Sequence, residues 1–320
     1  SGLTTDSAGN LLTGGSYRLY VVSKRGSNSV QASQLMTAVP EHQLTVGVDD
    51  SSHGSANVAG SSTKILSEGA SASISAAPNT GWTFANWTLN PAGTGASVTS
   101  STDTTATFTM GTDDVTAVAN FTAQNYTLTV DTNTLGKVEV KIGAEAPETI
   151  TTSKQYQVPF NTAVVLTPVA NSGCLFDSWD KTGITATPGS DNSLSFNMVG
   201  AASATAVFTT TISGRVAHIA TLIGLPNANI KVFDDSGTLV GSATGSDVFG
   251  QFGKYSITGI KPGHYTVQFT HNDFRMKTKD ITITTGPGTL DCNLVPTIVD
   301  CDLKMITIAG DDLVGFDSSK

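Results

Sequence analysis

Charge is what this chain most lacks. Asp, Glu, Lys and Arg make up 13% of its 320 residues, about half the ~25% of an average soluble domain. The balance of 17 basic to 26 acidic residues gives a net charge of −9, with no basic stripe anywhere. A phosphate-backbone partner is therefore excluded, and no nucleic acid is expected. Long hydrophobic runs are missing too: none approaches the ~18–20 residues of a membrane helix, so no membrane span is expected in this chain. Three cysteines supply neither a disulfide-dense framework nor four close zinc ligands. The five histidines, His42, His53, His218, His264 and His271, form no H-x-H or H-x-x-x-H pair, and the odd spacing of His264 and His271 puts them on opposite faces of a strand. There is no G-x-S-x-G nucleophile turn. Glutamate is scarce and absent from 211–296, which leaves little for a carboxylate pair across a cleft. We expect no catalytic residue, no cofactor and no metal site: the chain is not an enzyme.

Thr, Ser, Asn and 32 glycines fill the place of the missing charge, a strand-and-turn composition. Hydrophobic residues still reach 38% and alternate well, which argues against disorder. The order they follow is repeated. LTV at 44–46 leads to SISAAPNTGWTFANW at 73–87, FTM at 108–110 and AVANF at 117–121. LTV returns at 128–130, then LTPVANSGCLFDSW at 166–179, FNM at 196–198 and ATAVF at 204–208. Order is kept and intervals drift by a few residues, as loop insertions would make them. Turn clusters punctuate both copies at 49–54, 78–81, 90–95, 112–114 and 188–192. Strands at this spacing without a 3.6-residue period predict small sandwiches or β-grasp-like units.

The string A-x-P-N-x-G-W-x-F-x-x-W, then F-x-M, then V-T-A-x-x-N-F resembles divergent internalin-type B repeats of bacterial surface proteins. The second copy departs from it at Cys174 and lacks the Asn before Phe208. The resemblance implies a spacer or interaction module in a secreted or cell-wall protein. Beyond it, ISGRV (212–216), LPNANIKVFDDSG (225–237), FGQFGKYSI (249–257), GIKPG (259–263) and YTVQFT (265–270) resemble carboxypeptidase regulatory-like, transthyretin-type sandwiches, which are non-catalytic accessories of exported proteins. Tyr265, Val267 and Phe269 share one face of the last of these strands, and Thr266, Gln268 and Thr270 the other. At the ends, GSYRLYVVSK (15–24) with VQASQLMTA (30–38) resembles the last strands of a fibronectin type III domain, and LKMITIAGDDLVGF (303–316) the opening strand of a cadherin-like sandwich.

Several residue groups have both a chemical and a structural reading. The pairs Asp49–Asp50, Asp113–Asp114, Asp234–Asp235 and Asp311–Asp312 could offer oxygens to Ca²⁺, but the D-x-[DN]-x-[DN]-G spacing is absent and aspartate is favoured in turns for its own hydrogen bonds. Trp82, Trp87 and Trp179 could stack on sugars. Trp87 and Trp179 hold equal places in the two copies, beside Phe84 and Phe176, which favours a common core. Cys174 reads as a buried thiol in the place of Trp82. Cys292 either pairs with Cys301 or faces the core with Leu290 and Leu294. The opening strand of 211–217 carries Arg215 and no Lys, so an intramolecular Lys–Asn bond is not expected there. The sequons at Asn86, Asn120 and Asn125 carry little weight where Thr is so frequent.

The expectation is thus an all-β, elongated array of tandem small β-modules: partial fibronectin-like strands (1–40), two B-type repeats (41–124 and 125–210), a transthyretin-like β-sandwich (211–296) and the start of a further module (297–320). Short linkers at 122–124, 209–211 and 295–297 predict a stiff rod. We expect an extracellular or cell-surface fragment of a bacterial multidomain protein serving spacing, presentation or adhesion. Its partners would be neighbouring domains of the same chain, a cell-surface glycan or protein, or other copies of itself. Two alternatives are accessory modules of a secreted carbohydrate-active enzyme, and a filament subunit assembled by strand complementation through the apolar edges at 17–22 and 303–308.

Overall fold

In a computed structural model of the protein the described residues are 15–25 and 28–297, with side chains described from residue 39. The strand at 303–308, Cys301 and Asp311–Asp312 lie outside them. All regular structure among the described residues is β, and the modules follow one another in an elongated array. The first two strands, β1 (Gly15–Arg25) and β2 (Asn28–Ala38), pair antiparallel from Gly15↔Ala38 to Arg25↔Asn28.

The first copy contains β3 (Glu41–Val48), β4 (Gly54–Val58), β5 (Thr63–Ser67), β6 (Ser71–Pro78), β7 (Trp82–Asn90), β8 (Ser97–Val98), β9 (Thr105–Thr109) and β10 (Val115–Ala123). They form two sheets, ordered β5-β3-β10-β7 and β4-β6-β9-β8. The apolar alternation of the sequence becomes an inner face: Leu44 and Val46 from β3, Ile74 from β6, Phe108 from β9, and Val115, Ala117 and Ala119 from β10 share one core. The second copy contains β11 (Asn125–Thr132), β12 (Gly136–Ile142), β13 (Glu148–Ile150), β14 (Lys154–Pro159), β15 (Ala163–Ala170), β16 (Leu175–Thr182), β17 (Leu194–Asn197) and the first half of β18 (Ala202–His218). Its sheets are β14-β11-β18-β16 and β13-β12-β15-β17. The first sheets correspond strand for strand. The second sheets differ at their edges, where β8 in one copy and β13 in the other fill different sides, which is where the intervals between the copies drift. Both copies are sandwiches, and the β-grasp alternative falls away because no helix covers either sheet among the described residues.

The F-x-x-W string has a specific cause. In a regular strand, residues three apart face opposite ways. The pairing of β7 with β10 slips at Asn120/Phe121, skipping Ala85, and that of β16 with β18 slips between Phe176 and Ser178, skipping Asp177. This β-bulge adds one residue in the same place in both copies, so that Phe and Trp turn to the same side. Phe84 and Trp87 lie 5.5 Å apart at 56°, and Phe176 and Trp179 5.6 Å apart at 56°. Each pair is closed edge-on by the Phe of the last strand, Phe121 at 5.9 Å and Phe208 at 5.6 Å.

The remaining strands are β19 (Asn229–Asp234), β20 (Leu239–Thr244), β21 (Lys254–Ile260), β22 (Gly263–His271), β23 (Phe274–Ile283), β24 (Gly288–Thr289) and β25 (Cys292–Leu294). The sheet β20-β19-β22-β23 packs against the second half of β18, which pairs antiparallel with β21 and parallel with β24 and β25. Tyr265, Val267 and Phe269 face the core, and Phe269 meets Tyr255 across it at 5.9 Å.

One strand thus serves two sandwiches. Thr209–Thr211, which read from the sequence as a linker, lie inside β18. Threonine is at home in a strand, and Thr209 and Thr210 are buried. Thr122 and Ala123 likewise belong to β10, leaving Gln124 alone between β10 and β11.

Candidate functional site: the joints between modules

Most chemistry-bearing residues are occupied structurally. Trp87 and Trp179 are 3% and 9% exposed, and their Nε1–H groups donate to the loop carbonyls of Asp103 (3.0 Å) and Asn192 (2.9 Å). These indoles pin the long loops to the core and offer no stacking platform for a sugar. Cys174 and Cys292 are buried and free, and burial pushes the Cys292 thiol up. Asp50 accepts from the Ser52 N–H and hydroxyl, Asp114 from the Gln43 N–H, and Asp234 from the Ser236 and Thr238 N–H groups. Their carboxylates are engaged in turns and loops, as aspartate geometry favours. Asp235 holds His264 at 2.6 Å and raises its pKa. The Arg215 N–H donates to Asp291 and its Nε–H to the Phe252 carbonyl. Asn120 donates to the Asn86 carbonyl and the Thr88 hydroxyl, which explains the Asn before Phe121.

What the structure brings together instead is one turn, used twice. In the first copy the P-N-T-G turn closes with the Trp82 N–H on the Asn79 carbonyl, and Gly81 adopts φ +83°. The Gly81 carbonyl accepts the Gln124 N–H, and the Gln124 carbonyl accepts the Phe160 N–H, both at 2.8 Å. Phe160, from the second copy, lies flat on Gly81: a Cβ there would be 2.2 Å from the Phe160 Cγ. Trp82 meets Phe160 edge-on at 6.5 Å, and Tyr126 meets it at 6.4 Å. Behind Trp82, the His53 ring stacks at 3.5 Å. The Asp49 carboxylate accepts from His53 (3.1 Å) and from the Phe121 N–H (3.3 Å). Partial burial raises the Asp49 pKa, but the hydrogen bonds from His53, Phe121 and Asp50 outweigh it and hold the group below its ordinary value.

In the second copy the corresponding turn is A-N-S-G. The Cys174 N–H returns to the Asn171 carbonyl, and Gly173 adopts φ +74°. The Gly173 carbonyl accepts the Thr210 hydroxyl. Pro287, from the following module, takes the place that Phe160 holds at the first joint: a Cβ on Gly173 would be 2.6 Å from its Cγ. Asn171 donates both to Thr134 and, across the joint, to the Thr285 carbonyl, while the Thr134 hydroxyl donates to the Thr284 carbonyl. Glycine is required at both turns, because a side chain there is both strained and blocked.

The joints differ in depth. The first copy has a core of its own, so its joint is a surface contact of rings on a turn. The second copy and the following module share one continuous core, from Leu128 to Leu294. The sequence marks the first turn, at 78–81, but neither the second nor what seats on the two: Phe160, Gln124, Pro287 and Asn171 carry no chemical motif, and the partners are distant in the chain.

A family model described as a divergent InlB B-repeat domain matches residues 44–125 and 126–212, together more than half of the chain, and one described as a carboxypeptidase regulatory-like domain matches 211–295. No curated relative matches. Among solved structures, the chain is similar to the Bacillus anthracis TIE protein at 10% identity and a TM-score of 0.35, over 89% of this chain and 61% of that one. It is also similar to a Streptococcal ancillary pilin (10% identity, TM-score 0.26, 81% and 99% of the two chains) and to the minor pilin GBS52 of Streptococcus agalactiae (7%, 0.25, 54% and 96%).

Proposed function

Because the chain belongs to the divergent InlB B-repeat family, we propose that it is a non-catalytic stalk segment of a bacterial surface or secreted protein. It holds what lies before and after it at a fixed separation. The observation that carries this reading is the pair of joints. One residue, Gln124, separates the first two sandwiches, none separates the next two, and both turn glycines are covered by the module that follows. Short, hydrogen-bonded joints of this kind favour a fixed spacing over a flexible tether. The neighbouring modules of the same chain are its first partners, and a surface glycan, a surface protein or a further copy would be held at its ends. The sugar-binding alternative needs exposed tryptophans, and the burial of Trp87 and Trp179 speaks against it.

Light scattering combined with small-angle scattering tests the proposal. An elongated monomer with a single, concentration-independent maximum dimension is expected. A compact particle, or an ensemble of widely differing lengths, would refute it.

A further inference from the structure

In each of the three described sandwiches the first and last strands are hydrogen-bonded neighbours running the same way. In the first copy β3 and β10 pair parallel from Leu44↔Val115 to Val48↔Ala119. In the second, β11 and β18 pair parallel from Leu128↔Ala202 to Thr132↔Ala206. In the third, β18 pairs parallel with β24 at Ile212↔Gly288 and Ser213↔Thr289, and with β25 from Val216↔Cys292 to His218↔Leu294. The pattern has a mechanical meaning. Parallel entry and exit strands put the point where the chain enters a module and the point where it leaves at opposite ends of one ladder. Tension along the chain then slides the two strands lengthwise and loads all the bonds of the ladder together. An antiparallel pair pulled apart at its open end gives up its bonds one after another.

The surroundings reinforce each of the first two ladders. The loaded pair is central in its sheet, flanked by β5 and β7 in the first copy and by β14 and β16 in the second. Its inner faces are buried: Leu44, Val46, Val115, Ala117 and Ala119 in one, Leu128, Val130, Ala204 and Ala206 in the other. Water cannot reach these bonds from the core side to replace them, and a hydrogen bond is stronger in such surroundings. Nor is there slack between ladders. Both backbone groups of Gln124 are bonded at the first joint, and β18 carries the second joint without a break.

We propose that the chain bears tension: load enters each sandwich on its first strand, crosses the parallel ladder and leaves on its last, bypassing the strands between. This rests on the stalk reading and adds a function to it. The test is single-molecule force spectroscopy on the full chain in two geometries, with Cys301→Ser in both. In one, handles are fixed at the two termini. In the other, one handle is at the N terminus and one on Glu68→Cys, an exposed position next to the Glu41↔Ser67 end of the antiparallel β3–β5 pair. Cys174 and Cys292 are buried and do not compete for the handle. The first copy should unfold in a single step from the termini, at a force several-fold above that needed from residue 68, where β5 peels from β3. Chemical denaturation of the Glu68→Cys chain should match the parent, so that the difference reports direction and not stability. Equal forces in the two geometries would overturn the proposal while leaving the scattering result, and with it the stalk reading, untouched.

Discussion

Replacing Phe208 by alanine should unfold two modules more easily and leave a third alone. Phe208 is fully buried in β18, meets Phe176 at 5.6 Å, and lies so close to Gly136 that a Cβ there would be 2.5 Å from its ring. Truncations of this kind cost about 3–5 kcal/mol. Phe208 belongs formally to the second copy, yet its strand continues into the next sandwich and its core extends to Ile212, Tyr265 and Phe269. The loss should therefore fall on the cooperative unit formed by both. At about 2–4 °C per kcal/mol for a unit of this size, the corresponding transition drops by roughly 6–20 °C. The first copy, with its separate core, keeps its own transition. Differential scanning calorimetry gives the shifts, and native-state hydrogen exchange assigns them. Amides of β15 and β22 should lose protection together. If β15 exchanges faster while β22 keeps its parent rate, the two sandwiches are independent and the shared-core argument is wrong.

Gly81→Ala should open the first joint, since the new Cβ meets the Phe160 ring and the φ of +83° costs an alanine about 1–2 kcal/mol. Trp82 loses its cover, and because Trp87 and Trp179 are buried, acrylamide quenching should rise through Trp82 alone; unchanged quenching would refute the seating of Phe160. Trp87→Phe removes the hydrogen bond to the Asp103 carbonyl and should destabilise the first copy by about 1–3 kcal/mol, with faster proteolysis in the loop at 91–104 and an unaltered second transition. Acid should act through Asp49. Its folded pKa is depressed, so its contribution is complete above the unfolded value of about 3.9 and is lost as the pH falls through the lower folded value. Between about pH 5 and pH 2 the first-copy transition of the parent should fall toward that of Asp49→Asn, and a constant gap between the two would contradict this assignment.

The sequence disclosed what is repeated and concealed what is joined. Leu44 and Leu128, Trp87 and Trp179, and Met110 and Met198 could be matched because the same places in both copies face a core and take residues of one kind. The bulge at Ala85 and Asp177 could not be read from spacing, because strict alternation puts Phe84 and Trp87 on opposite faces and only the pairing partner shows the skipped residue. Thr209 and Thr210 read as a polar linker because a run of threonines between two modules shows no apolar alternation, and their burial depends on Gly173 and on strands far away in the chain. The joints were hidden for the same reason: Phe160 and Pro287 are unremarkable until the turns they cover are placed beneath them.

Strand β18 also decides which parts of this chain can be exchanged. A graft cut at Gln124 would transfer the first sandwich whole, since its core closes before that residue and only the surface joint must be rebuilt: the two backbone hydrogen bonds of Gln124 and the seat of Phe160 on Gly81 and Trp82. A cut at Thr210 would divide a continuous strand and expose the core between Phe208 and Ile212 on both sides. For recombination, natural or designed, residues 41–297 therefore contain two transferable pieces where two sequence repeats and a following module suggest three.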